Sequence, residues 1–449
     1  MKKRFAVLLV FALIFSLLVA CGGGKESSNS GEGGGTDTSS SSTGSGGSGT
    51  GTADSGSSGG DGGKTVELTY WDGTWAEEIT PELVKEFEAQ NPGIKIKVEY
   101  FPWDGMYDKF LVALRNDNGP DIINMAVDWT VPFAAMGKLQ NITPFIEQYG
   151  VDMNDFYEGP LKTVTYNGQY YALPYRSEAN ALYYNKKIFA DAGLDPEQPP
   201  ATWDELIEFS KQIKEKTGIA GFGQSGSEFG NFTAQLYYLI YSNGGSVLNE
   251  DYTKSALTSP EAVEAAQIFV DMYRKHKISP DSTMENNNTV NRNLFASEKV
   301  AMFISGNYDV AAVREANPDL DFGTALQPAL AERKPILGGW NAGVTNTAKD
   351  AEAAFKFVNF LASPEISPRY SLTFSSRKSA AGHEKYKAPE FQPFLESLNY
   401  AQAMPPIPQW TQIKQIVYNH MQSAMIGDRT VEQALQDASK EIDALLAGN

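Results

Sequence analysis

The chain has 449 residues, and a single hydrophobic core stops growing near about 250 to 300 residues, so at least two lobes are expected. Its 37 Lys and Arg against 55 Asp and Glu leave a net charge of −18, which opposes recruitment of nucleic acid through phosphate neutralisation. One cysteine, Cys21, excludes an intramolecular disulfide, a thiolate zinc site and an iron–sulfur cluster.

At the N-terminus, Lys2, Lys3 and Arg4 precede an apolar run from Phe5 to Val19, the pattern of a secretory signal over residues 1–20. The run is shorter than the ~20 residues that a bilayer span requires. Leu18-Val19-Ala20-Cys21 resembles a bacterial lipobox, which implies cleavage before Cys21 and acylation of its thiol. Cys21 is therefore expected to anchor the protein to the outer side of the cell membrane. Residues 22–63 are mainly Gly and Ser and cannot bury enough apolar surface to fold. They read as a flexible tether, with a root-mean-square span of roughly 35 to 40 Å.

Beyond the tether, Val66, Leu68 and Tyr70 alternate, as do Ile94, Ile96, Val98 and Tyr100, and both segments are predicted strands. Between them the sequence predicts a helix with Thr80 as its cap, Pro81 at its first position and a stripe of Leu83, Val84 and Phe87. A second helix is predicted over Trp103 to Asn116, followed by a short apolar segment from Asp121 to Met125. This βαβαβ order predicts a parallel sheet. After Leu173-Pro174 the alternation of elements resumes. Thr202-Trp203-Asp204-Glu205 forms a capping box, Ser259-Pro260 opens another helix, and Asp350 to Leu361 and Thr430 to Leu446 are amphipathic helices.

His276, His383 and His420 are far apart and match no metal-binding spacing, so no metal or cofactor is expected. Gly221-Phe222-Gly223-Gln224-Ser225-Gly226 matches the dinucleotide fingerprint, yet no helix is expected to open on it. A serine-hydrolase elbow and a complete EF-hand loop are absent.

What recurs is an aromatic residue beside acids, amides or glycine at the ends of segments. The instances are Trp71-Asp72-Gly73-Thr74-Trp75, Asp128-Trp129, Pro174-Tyr175-Arg176-Ser177-Glu178, Gly306-Asn307-Tyr308-Asp309 and Gly338-Gly339-Trp340-Asn341. A sugar presents an apolar C–H face and a rim of hydroxyls, so its site needs flat rings for one and paired donors and acceptors for the other. In open α/β sheets ligands sit beyond the carboxyl ends of strands, where Trp71 and Asp72 fall.

The YW pair ending the first strand, FEAQNPGIKIKVEY, the GPDI step, YYALPYRSEANALYYNKKIFADAGLDP with the following TWDEL, KVAMFISGNYD, LGGWNAGV and the terminal TVEQAL helix carry a resemblance. Together with the lipobox, they resemble the solute-binding proteins of bacterial ABC importers, in the class of maltose- and trehalose-binding proteins. The likeness covers residues 64–449. It implies an α/β, two-lobed periplasmic-binding-protein-like fold of type II, with a hinge that closes on a sugar in the cleft and a membrane permease as partner. Lobe one is then expected over 64–173 plus 308–362, and lobe two over 174–307 plus 363–449. By the resemblance Trp340, Trp129, Glu178 and Arg377 fall on binding positions. Two departures, Ala126 where an acid is expected and Gly306-Asn307-Tyr308 in place of a GPW step, leave the identity of the sugar open.

The expected ligand-binding set is Trp71, Asp72, Trp75, Asp128, Trp129, Tyr175, Glu178, Asn307, Tyr308, Gly339, Trp340, Asn341 and Arg377. In it Trp340 and Trp129 stack on pyranose faces, Glu178, Asp128 and Asp72 accept hydroxyl protons, and Arg377 and Asn341 donate. A catalytic residue is not expected and a monomer is. The alternatives are a secreted glycoside hydrolase, in which the same acids would do chemistry, and a displayed adhesin without a small-molecule ligand.

Overall fold

The structure, a computed structural model, describes residues 65–448. The expected signal over 1–20, Cys21 and the tether over 22–63 lie outside the described residues. The strands are β1 (Val66–Gly73), β2 (Ile94–Phe101), β3 (Ile122–Ala126), a hairpin of β4 (Thr165–Tyr166) and β5 (Gln169–Tyr170), β6 (Ala172–Glu178), β7 (Ala181–Asn185), β8 (Ala220–Gly223), β9 (Val300–Ser305), β10 (Phe322–Ala325), β11 (Gly338–Val344) and β12 (Phe374–Ser375).

The first sheet has the order β12-β6-β11-β3-β1-β2. As the βαβαβ pattern predicts, β1 runs parallel to both β2 and β3. The helix Thr80–Gln90 buries Leu83 and Phe87 against Leu68, Tyr70 and Phe357. All of β3 is buried, because a central strand covered on both faces carries apolar side chains without alternation. Thr80 does not cap its helix. Ile79 holds the cap position and the Thr80 hydroxyl donates to Asp72 Oδ2 at 2.8 Å. The next helix begins at Met106, not Trp103, because Gly105 at φ 74° breaks the chain before it.

The second sheet has the order β10-β7-β9-β8. Its core gathers Trp203, Leu206 and Ile213 from the helix Trp203–Thr217, together with residues of Phe229–Ser242, Pro260–Arg274, Trp410–Ile426 and Val431–Leu446. Capping boxes close the starts of Trp203–Thr217 and Val431–Leu446 through Thr202 with Glu205 and Thr430 with Gln433. A helix does follow the GxGxxG segment, at Phe229, contrary to expectation. Its first amides are already taken by the Glu228 carboxylate, which accepts from Gly230 and Asn231 at 2.7 Å each, so an anionic phosphate has no place there.

Strand pairing redraws the expected lobe limits. β6 pairs with β11 and β12 in the first sheet, so the first crossing follows Glu178 rather than preceding Pro174. β10 pairs with β7, and Val310 and Val313 pack with Phe303. Residues 308–325 therefore belong with the second sheet, not with lobe one. β12 returns residues 374–375 to the first sheet, although 363–449 was expected in lobe two. A strand's sheet is decided by distant pairing partners, which local periodicity does not encode.

Candidate functional site

Four tryptophans meet where the strands of the first sheet end. Trp75 follows β1, Trp103 follows β2, Trp129 follows β3, and Trp340 lies in β11. The Trp103 and Trp129 rings stack at 5.6 Å with planes 12° apart. Trp340 stands edge-on to both, at 5.8 and 6.0 Å, and meets Trp75 at 4.6 Å. Trp129 and Trp340 are buried at 3% and 6% exposure, whereas Trp103 is 37% exposed and offers the accessible ring. Gly339 makes this possible. At φ 137°, a Cβ there would stand 2.1 Å from the Arg176 carbonyl oxygen, so only glycine lets β11 press onto β6 and carry Trp340 into the cluster.

Charged groups flank the rings. Arg176 donates to Glu178 at 2.9 Å, and its guanidinium lies 5.6 Å from the Tyr308 ring and 6.0 Å from that of Trp340, within cation–π range. Asp309, next in sequence to Tyr308, accepts from Ser305 Oγ at 2.6 Å and from Arg292 at 3.1 Å. Burial pushes the Asp309 carboxyl up, and the Ser305 hydrogen bond and Arg292 pull it back. Burial also pushes the Tyr308 hydroxyl up. Lys414, from the helix Trp410–Ile426 of the second core, forms an ion pair with Asp128 in the loop after β3. Asn307 is 2% exposed and neither atom of its amide finds a partner among the described residues.

The structure thus gathers Trp75, Asp128, Trp129, Glu178, Tyr308, Gly339 and Trp340 around one junction between the sheets, with Asn307 beside Tyr308. Other expected residues lie elsewhere. Trp71 packs on Phe101 and Phe110 at 4.9 and 5.1 Å and donates to Glu99. Asp72 accepts from Thr80, Asn124, Tyr370 and the Gly73 amide inside the first lobe. Tyr175 donates to Asn124 at 3.1 Å and stacks on Tyr370. Asn341 donates to Thr130 and Thr163. Arg377 ties the Ala362 carbonyl and Asp155 and covers the Phe156 ring at 4.0 Å. The reason is the two-residue period of a strand. Once Arg176 and Glu178 face the junction, Tyr175 faces the core, and the two faces of β1 send Trp71 and Asp72 into separate layers.

Trp103, Arg176, Asp309 and Lys414 were not in the expected set. Trp103-Asp104-Gly105 repeats the aromatic–acid–glycine signature, which the predicted helix start at Trp103 concealed. Arg176 follows from the period that selects Glu178. Lys414 carries no local signal, since its partner is Asp128 on another lobe.

The family described as bacterial extracellular solute-binding protein matches residues 72–367. The chain belongs to this family. Among solved structures, an ABC transporter solute-binding protein from Thermotoga lettingae, bound with α-D-tagatose, superposes with a TM-score of 0.79 at 30% identity, covering 85% of this chain and 99% of that one. The diacetylchitobiose-binding protein of Streptomyces coelicolor is 26% identical over 367 residues, 80% of this chain and 77% of its own. An sn-glycerol-3-phosphate-binding periplasmic protein of Shigella dysenteriae is 26% identical over 427 residues, 84% of this chain and 92% of its own. As a solute-binding protein, the chain has the two-lobed α/β fold of these relatives, and its tryptophan cluster sits at the junction of the lobes.

Proposed function

We propose that this solute-binding protein captures a saccharide between its lobes and delivers it to the permease of an ABC importer, as a monomer held outside the cytoplasm by acylated Cys21. The observation that carries the reading is the ring cluster of Trp75, Trp103, Trp129 and Trp340 beside Arg176 and the unpartnered amide of Asn307. Rings serve the C–H face of a pyranose and the amide and guanidinium serve its hydroxyls. Closure is favoured by the ligand because only the closed arrangement touches it from both lobes. The chain performs no chemistry on its cargo in this reading. Asp128 and Glu178, the acids a hydrolase would use, are each paired with a cation.

A thermal-shift panel of neutral mono- and oligosaccharides on the mature chain tests the proposal. A saccharide at a hundred times its dissociation constant stabilises by about 2.7 kcal/mol. Trp103→Ala is expected to weaken that saccharide about tenfold and to cost the unliganded fold about 1 kcal/mol, because its ring is the exposed one yet stacks on Trp129. Release of smaller sugars from an oligosaccharide would reverse the reading in favour of a hydrolase.

A further inference from the structure

The junction between the lobes is rich in charge yet balanced. Arg176 faces Glu178, Arg292 faces Asp309, and Lys414 faces Asp128. Two pairs are shielded from water on both sides and the third through its acid, Arg292 keeping 26% of its side chain exposed. Side-chain exposure is 6% for Arg176, 2% for Asp309 and 6% for Asp128. The nearby Lys385 is spent on the carbonyls of Pro368 and Ser371. Among the described residues, the polar atoms left unpartnered on the segments flanking the junction are Asn307 Oδ1 and Nδ2, Thr411 Oγ1 and Arg176 Nε. All but the last belong to neutral groups, and the guanidinium that carries Arg176 Nε is already balanced by Glu178. Asp104, beside the exposed ring of Trp103, adds a further acid at the rim.

From this we infer that the site selects uncharged ligands and rejects phosphorylated sugars and polyols, a deepening that rests on the solute-binding reading above. A phosphate entering the junction finds each cation engaged. A phosphate oxygen can reach the same free Arg176 Nε–H that a hydroxyl would use, but its charge then faces the Glu178 carboxylate already bound to that guanidinium. To escape that repulsion it must displace a buried carboxylate and leave it unpaired, and breaking a buried pair in this way is strongly unfavourable. A neutral saccharide meets no such obstacle, since amide, hydroxyl and guanidinium N–H groups are available to its hydroxyls without separating any pair.

The test is a binding titration of the full mature chain at neutral pH with tagatose, maltose and diacetylchitobiose against glycerol 3-phosphate and glucose 6-phosphate. At least one neutral sugar is expected to bind, and the phosphorylated probes on the order of a hundredfold more weakly. Glu178→Gln and, separately, Asp128→Asn release Arg176 or Lys414 from its partner. Either variant is expected to gain at least about tenfold in affinity for the phosphorylated probes, with circular dichroism confirming that it folds. Tighter wild-type binding of a phosphorylated probe than of any neutral sugar overturns the inference but keeps a functioning binding site. Folded variants that gain nothing for the anions overturn it as well. Variants that gain anion binding while the wild type takes none of the three sugars uphold charge balance and count against the saccharide reading.

Discussion

Asp72 shows how a residue chosen for recognition is used for structure. Its Oδ1 accepts from the Gly73 amide at 2.8 Å and Asn124 at 2.7 Å, and its Oδ2 from the Thr80 and Tyr370 hydroxyls at 2.8 Å each. Burial raises the carboxyl above its ordinary value, against those hydrogen bonds. The native state then holds a proton that the unfolded chain releases, so this group's contribution to stability falls as pH rises above about 4. Asp72→Asn is expected to remove that slope at a cost of about 1 to 2 kcal/mol, because both hydroxyls can turn and accept from the new amide. Asp72→Ala strands the donors and is expected to cost about 3 kcal/mol or more in urea unfolding at neutral pH. Lys385 gives a slope of the opposite sign. Burial, with Arg176 adding repulsion, lowers its ammonium to about 8. Stability should therefore climb as pH rises from 8 toward the ordinary lysine value, and Lys385→Met should flatten that climb in melts taken across the same range. Which polar residues were buried was hidden in the sequence, because Trp71-Asp72 reads the same whether its acid points to solvent or to Tyr370.

At the scale of elements, legibility follows the range of the interaction. The helices opened by Thr202, Ser259 and Thr430 carry their caps in their own sequence and appear where expected. The start at Met106 depends on a single left-handed glycine, and the allotment of β6, β10 and β12 depends on partners far along the chain. β11 is the element on which the site most depends. Gly339→Ala places a methyl against the Arg176 carbonyl and forces a residue other than glycine to φ 137°. A loss of roughly 3 kcal/mol is expected from denaturant unfolding, together with a blue-to-red shift in tryptophan emission as Trp340 leaves its neighbours. An unchanged emission spectrum would show that β11 can move without disturbing the rings.

For the whole molecule, the contact of most consequence is Asp128 with Lys414, which joins the loop after β3 to the helix Trp410–Ile426. Lys414→Met leaves Asp128 buried without its cation and is expected to shift the population toward an open arrangement, with a larger radius of gyration in solution scattering. The pair of changes Asp128→Asn with Lys414→Met should restore part of the compactness, since no lone charge then remains. An identical scattering curve for the single variant and the wild type would show that the pair does not govern closure.

The position of β11 bears on how this chain reaches the outside of a cell. It lies between β6 and β3, so the first sheet stays in two unjoined pieces until residue 344 has emerged. The second core then still awaits Trp410–Ile426 and Val431–Leu446. A chain threading a membrane channel from its N-terminus therefore finishes neither lobe until most of its length is through. Late closure of this kind means that neither lobe can form its core from the N-terminal part of the chain alone, so the fold is completed only once the last helices have arrived.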